Sequence, residues 1–355
     1  MDRRLDVYGR TDLWEEPMRL RPYRRTLEPL PPATARSQHT LRVLAWLHAY
    51  HQAHAWQLQE ACGISPFTLS RVMRPLYMAG LVARGRYNPF GAGAVPYTYK
   101  LHDGAPLRAF LRQLPTEQWL GVTGGVKPVF SSTHFRHNLM IGELALAAAS
   151  SLGEIELVLG EPFAGASKMF PDCQSGAIGD VVLVTSQGMR IIVELSSSLS
   201  DRVPPKILRW ARLLSHGDLE SHGTVVVMLN GASRKKHHQV GTVIKRQMLH
   251  SMQAESMAQG GKWPSDREVR RARSFVVYAD WDEWFQGVEP TLGFSSLAVH
   301  YTPDGKHWES TSLLDWDFQP PDPDSWQIPI RNRHRIYSVP EALLQRDQLA
   351  GTRRL

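Results

Sequence analysis

The sequence predicts an α/β protein of two domains: a basic, helix-rich module closed by a β-hairpin, then a core ordered helix, three strands, helix, strand. Three observations carry this. Residues 178–198, IGDVVLVTSQGMRIIVELSSS, hold two apolar runs around a short turn at Ser186, Gln187 and Gly188, the pattern of a buried hairpin. Residues 37–115 carry eight Lys or Arg side chains against only Glu60 and Asp103. Between these regions lies GVTGGVKPVFSS, residues 121–132, after which the chain changes character.

The chain has 355 residues, a formal charge of +7 and a pI near 9.5. At roughly 100–200 residues per domain, two domains are expected. No apolar run reaches the roughly 20 residues needed to span a bilayer. The opening MDRRLDVYGRTDLWEEP has no apolar signal core, so secretion is not expected. Cys62 and Cys173 stand far apart, which supports neither a disulfide framework nor a cysteine zinc site. A reducing, cytoplasmic setting follows as an expectation. The local basic excess is the footprint of a nucleic-acid partner or of a solvated basic face.

Residues 1–36 are rich in Arg and Pro without a period, and read as a flexible basic arm. Ser37 can cap a first helix carrying Leu41, Leu44 and Leu47. A second short helix covers residues 55–62. Gly63, Ile64 and Ser65 make a turn, and Ser65-Pro66 opens a third helix. That helix turns Leu69, Val72, Met73 and Leu76 inward and Thr68, Ser70, Arg71 and Arg74 outward. Pro75 is expected to kink its last turn. LVARGRY and YTYKL then read as strands flanking NPFGAGAVP. Helix, helix, glycine turn, helix and hairpin is the pattern of a winged helix-turn-helix, over residues 37–115. Its expected partner is double-stranded DNA, contacted by Thr68, Ser70, Arg71 and Arg74 on the helix and by Arg84, Arg86 and Lys100 on the hairpin. A homodimer is the default for such a reader.

Residues 116–132 read as a linker and residues 133–280 as the second domain. It opens with a helix at 133–151 and a strand at 154–160, followed by a loop holding Lys168, Pro171 and Asp172. The hairpin comes next, then a helix at 204–216 with Lys206 and Arg209. A strand at 222–230, a long helix at 234–257 and a strand at 274–280 complete it. The hairpin carries two misplaced carboxylates, Asp180 at the start of one strand and Glu194 near the end of the other. In an antiparallel pair these ends lie opposite each other. Two converging carboxylates suit a hard cation such as Mg²⁺.

The order of elements, with FPD, GDVVLV, RIIVELSSS and PPKILRWARLL, resembles the replication-relaxation family of plasmid and mobile-element proteins. That family joins a winged helix to a restriction-endonuclease-like, PD-(D/E)xK domain. The resemblance implies Asp180 and Glu194 as a metal-binding, catalytic pair and Mg²⁺ as cofactor. Glu143 on the preceding helix would be a third carboxylate, and Asp172 matches the literal PD. Active members of the wider fold place a lysine two residues after the glutamate, where this chain has Ser196. Lys206 on the next helix, or Lys168, would have to supply that cation. The alternative reading has Asp180 capping a turn and Glu194 paired with Arg190 or Lys206.

His48, His51 and His54 are spaced three apart, but zinc wants more convergent ligands. His237 and His238 read as solvent or phosphate contacts within RKKHH. Residues 281–355 form a Trp-rich extension, read as an added subdomain or dimer contact. Three functions compete: a non-enzymatic DNA-binding protein acting in replication, mobilisation or its control; a metal-dependent DNA endonuclease targeted by the winged helix; and a protein-interaction adaptor.

Overall fold

The computed structural model describes residues 21–23, 25–86, 97–128, 135–151, 154–169, 173, 175–185, 189–198, 201–216, 223–232, 234–286 and 289–314. The protein is mixed α/β and divides into two compact units. One holds the described residues up to Ala149 together with Leu159–Phe163; the other holds Ser150–Val158 and the described residues from Ala164 onward. Among the described residues no helix is long and apolar enough to cross a membrane.

The N-terminal unit begins with a short α1 (Pro32–Ala35) and α2 (Gln38–Tyr50), which buries Val43, Leu44 and Leu47. A strand the sequence reading missed, β1 (Gln52–His54), leads into α3 (Ala55–Cys62). Gly63 closes α3 in the left-handed region at φ 61°, the conformation that favours glycine. Ser65 caps α4 (Pro66–Met78) by accepting from Thr68 N at 3.1 Å, with Pro66 in the first turn. Strands β2 (Val82–Arg86) and β3 (Tyr97–Leu101) follow, and the antiparallel sheet has the order β1-β3-β2. The tip expected between β2 and β3 lies outside the described residues.

Three expectations change in this unit. The described end of the N-terminal arm is tied down: Arg21 and Arg84 exchange backbone hydrogen bonds at 2.9 and 3.0 Å, and Glu28 N donates to Met78 O at 3.2 Å. The stretch read as a linker contains α6 (Thr116–Thr123), which follows α5 (Ala105–Gln113) and packs on α2. Helix α7 (Phe135–Ser150), expected to open the second domain, groups with this unit as far as Ala149. Gln57 Nε2 donates to Leu139 O at 2.8 Å and holds α7 to α3. The three spaced histidines lie on different elements. His48 is in α2, His51 ends that helix at φ 64°, and His54 belongs to β1 and precedes α3.

The second unit is built on a seven-stranded mixed sheet of order β12-β11-β8-β7-β6-β5-β4. Edge strand β4 (Ile155–Gly160) runs into a 3₁₀ turn at Glu161–Phe163, which groups with the N-terminal unit, and α8 (Ala166–Met169) follows. The predicted hairpin forms as β5 (Val181–Thr185) and β6 (Arg190–Ser196), antiparallel, with Val181 opposite Val193. Helix α9 (Val203–His216) crosses to β7 (Thr224–Asn230), which runs parallel to β6. The long helix breaks into α10 (Arg234–Ser251) and α11 (Ala254–Met257). Helix α12 (Asp266–Phe275), opened by a Ser265–Glu268 capping box, leads into β8 (Val276–Asp280), parallel to β7. The strand therefore starts at Val276, not at residue 274. Every residue of β5, β6 and β7 is buried, as expected of central strands covered on both faces. Helix α9 packs against both α10 and α12.

The described part of the Trp-rich extension completes this sheet. After α13 (Trp281–Trp284) and a small pair, β9 (Phe285–Gln286) with β10 (Glu289–Pro290), strand β11 (Ala298–Tyr301) pairs with β8. Strand β12 (Glu309–Ser312) then pairs with β11. Trp284 is fully buried and its Nε1 donates to Ala298 O at 2.8 Å.

Candidate functional site: a buried carboxylate pair and a basic helix

The antiparallel geometry of β5 and β6 brings the two acids together. Asp180 N donates to Val193 O at 2.9 Å, and Leu195 N donates to Asp180 Oδ2 at 2.7 Å. The aspartate side chain thus takes a ladder position that backbone would otherwise fill, beside Glu194. Gly179 makes this approach possible, since a Cβ there would stand 2.5 Å from Ile192 Cγ2. Helix α9 supplies the other partners one turn apart. Trp210 Nε1 donates to Glu194 Oε1 at 2.8 Å, and Lys206 Nζ donates to Glu194 Oε2 while lying 3.5 Å from Asp180 Oδ1. One oxygen of each carboxylate is held by an N–H of the protein, and the other faces the Lys206 ammonium, which the two share.

Glu194 is 1% exposed. Burial, reinforced by the Asp180 charge, pushes its carboxyl up to about 7, against the opposing pull of Lys206 and Trp210. Among the described residues, the contacts on these oxygens set two carboxylates against the Lys206 ammonium. Perturbed carboxyls of this kind gather at functional sites and at structural ion pairs alike.

The donor set fits Mg²⁺, which takes one or two carboxylates and fills its shell with water and phosphate oxygens. Asp180 Oδ1 and Glu194 Oε2, the two oxygens that face Lys206 Nζ here, would hold it once that ammonium turns away from them. Among the described residues no group of three or more His, Cys, Asp or Glu side chains is gathered for a metal. Ser196, at the position where the resemblance expects lysine, is in register with Asn230, and its carbonyl accepts from Gly231 N at 3.0 Å. The cation at the carboxylates comes from α9 instead.

Glu143, expected as a third carboxylate, is buried on α7 in the N-terminal unit, where its Oε1 accepts from Trp56 Nε1 at 3.0 Å. Asp172 and the side chain of Lys168 lie outside the described residues.

A second polar cluster, which sequence reasoning missed, lies where β7 and β8 end. Asp280 Oδ1 accepts from Tyr278 Oη at 2.6 Å and Asn230 Nδ2 at 2.8 Å, and lies 3.0 Å from His237 Nε2. The adjacent Asp280 carboxylate raises the His237 pKa. Burial raises the Asp280 pKa, but the neighbouring His237, Tyr278 and Asn230 outweigh it and hold the carboxyl below its ordinary value. No sequence-local signal marks it, because Asn230 and Asp280 meet only through the parallel register of β7 and β8. His237 is thus a partner of Asp280 rather than simply a solvent contact.

In the N-terminal unit, Ser70, Arg71 and Arg74 are exposed on α4, as expected. Thr68 is half-buried, with its hydroxyl 3.0 Å from Ser65 Oγ, so it serves the cap. The Arg84 guanidinium stacks between Tyr77 and Tyr97, 4.0 and 4.7 Å from the ring centroids. Lys100 on β3 is half-buried, and burial lowers its pKa. Arg86 pairs with Tyr97 in the hairpin, while its side chain lies outside the described residues. No carboxylate lies on α4. The chain matches no family model, no curated protein and no solved structure.

Proposed function

We propose that this chain is a DNA-binding protein of a plasmid or other mobile element, of the replication-relaxation kind, whose second unit is a metal-assisted DNA nuclease. The convergence of Asp180, Glu194 and Lys206 carries the nuclease reading. Helix α4, with the β2–β3 hairpin as its wing, would bring duplex DNA to the protein. The strand order of the second unit, β5 and β6 followed by α9 and β7, with its carboxylate pair, supports the nuclease-like core, and Lys206 supplies the charge that Ser196 does not.

A bound Mg²⁺ would polarise the scissile phosphate and lower the pKa of the attacking water. The protein's own groups do the rest. Leu195 N and Trp210 Nε1 fix the carboxylates. Asp180 and Glu194 would hold the metal. The Lys206 ammonium offsets charge that develops on the phosphate oxygens.

Supercoiled plasmid incubated with Mg²⁺ or Mn²⁺ tests this. Wild type is expected to nick it, and Glu194→Gln and Lys206→Met to lose about 100-fold or more in rate. No nicking by wild type, or equal nicking by Glu194→Gln, would end the enzyme reading. The near-complete burial of Glu194 against Lys206 and Trp210 favours a second reading, in which the ion pair is structural and the protein binds DNA without cutting it. Salt-dependent mobility shift without nicking is its signature, and absence of both activities would sink the two readings together.

A further inference from the structure

We infer that Phe67 reads thymine through its C5-methyl group in the major groove, an inference that rests on the DNA-binding reading of α4. Phe67 is the second residue of α4 and is 71% exposed. Leu69, Val72, Met73 and Leu76 of the same helix are buried, and Tyr77 and Met78 are partly covered. A phenyl ring left this open at the start of a helix is not used by the core. Recognition helices contact base edges with their N-terminal residues, where Phe67 stands.

The surroundings fit a nucleic acid. Ser70, Arg71 and Arg74 are the exposed neighbours on the same helix, and no carboxylate lies on it. The Arg71 guanidinium sits 5.8 Å from the Phe67 ring centroid, so a cation accompanies the apolar surface. An apolar protein partner has no use for that density of positive charge, whereas a base edge flanked by phosphates matches both features. Thymine is the one base that presents a methyl group in the major groove, and contact with an apolar side chain is how it is distinguished.

The test uses the full chain and removes that methyl alone. Duplexes are selected by wild-type protein from a random-sequence library. The best-bound duplex is then made twice, with thymine and with deoxyuridine in its place. Wild type is expected to bind the uracil form about fourfold more weakly per contacted thymine, the worth of about one buried methyl group. Phe67→Ala is expected to bind the thymine form weakly and to treat the two forms alike. Thermal melts of both proteins confirm that the exposed substitution leaves the fold intact. Equal binding of both forms by wild type, or undiminished discrimination by Phe67→Ala, overturns the inference while leaving DNA binding in place. Failure to bind any duplex overturns the DNA-binding reading itself, and Phe67's role with it.

Discussion

Trp210 Nε1 donates to Glu194 Oε1 at 2.8 Å, one helical turn beyond the lysine that holds the other oxygen of the same carboxylate. Trp210 and Glu194 are each only 1% exposed. The indole therefore sets where the carboxylate points as well as filling the space beneath α9.

Trp210→Phe keeps most of the apolar volume and removes the donor. It leaves a buried carboxylate oxygen short of a partner, at a cost of about 1–3 kcal/mol. Urea unfolding should show the midpoint falling with an unchanged slope. If the carboxylate pair binds a divalent cation, Mn²⁺ affinity should fall as well, because the Glu194 rotamer is no longer fixed. A variant as stable as wild type, with the same Mn²⁺ affinity, would mean the bond orders nothing.

The raised Glu194 carboxyl makes a signed prediction about pH. Its ordinary value is 4.5, and burial lifts it to about 7 in the folded protein. Between these values the folded state binds more protons than the unfolded state, so this group's contribution to stability falls as pH rises through that window. The full effect is on the order of 3 kcal/mol. Glu194→Gln cannot titrate. The difference in unfolding free energy between wild type and variant should therefore change between about pH 4.5 and 7 and level off on either side. A pH-independent difference would place Glu194 at an ordinary carboxyl pKa.

The pair of acids was legible because strand periodicity and antiparallel pairing are short-range rules. The start of β5 must meet the end of β6 once the turn closes, and Asp180 and Glu194 occupy those ends. The start of α4 was legible for a similar reason, since Ser65-Pro66 is a local capping signal. What escaped depends on long-range packing. Strand β1 is three residues, QAH, whose partner Thr98–Lys100 lies more than forty residues away. Helix α6 carries Gly121 and reads as loop until α2 packs on it. The sequence offered Lys206 among several cations for the site. Only the crossing of α9 over β6 selects it. The Asn230, Tyr278, Asp280 and His237 cluster joins three elements and needed the parallel register of β7 and β8.

That cluster titrates as a pair of opposite shifts. His237 is raised, so its contribution is present below its ordinary pKa and lost as pH rises through the folded value. Asp280 is lowered, so its contribution is present above its ordinary pKa and lost as pH falls through the folded value. The charged pair is therefore fully formed at mildly acidic pH, between the two ordinary values. Asp280→Asn should lower the His237 pKa, read from its imidazole resonances by NMR. An unchanged His237 titration would show that the 3.0 Å approach does not couple the two groups.

Two glycines of one loop separate crowding from chain flexibility. A Cβ at Gly179 would stand 2.5 Å from Ile192 Cγ2, whereas a Cβ at Gly176 would meet nothing within 4 Å. Neither residue has the positive φ that strains an alanine, so space alone distinguishes them. Gly179→Ala must push the start of β5 away from β6 or force Ile192 off its rotamer, at about 1–3 kcal/mol. Gly176→Ala should fall within about 0.5 kcal/mol of wild type or gain slightly from reduced freedom in the unfolded chain. Because Asp180 follows Gly179 directly, the same displacement should lengthen the Leu195 N to Asp180 Oδ2 bond and weaken Mn²⁺ binding. Thermal or urea midpoints for both variants, with Mn²⁺ titrations alongside, measure these effects. Equal stability and equal Mn²⁺ affinity for the two would show that β5 is not held against Ile192 closely enough to position Asp180.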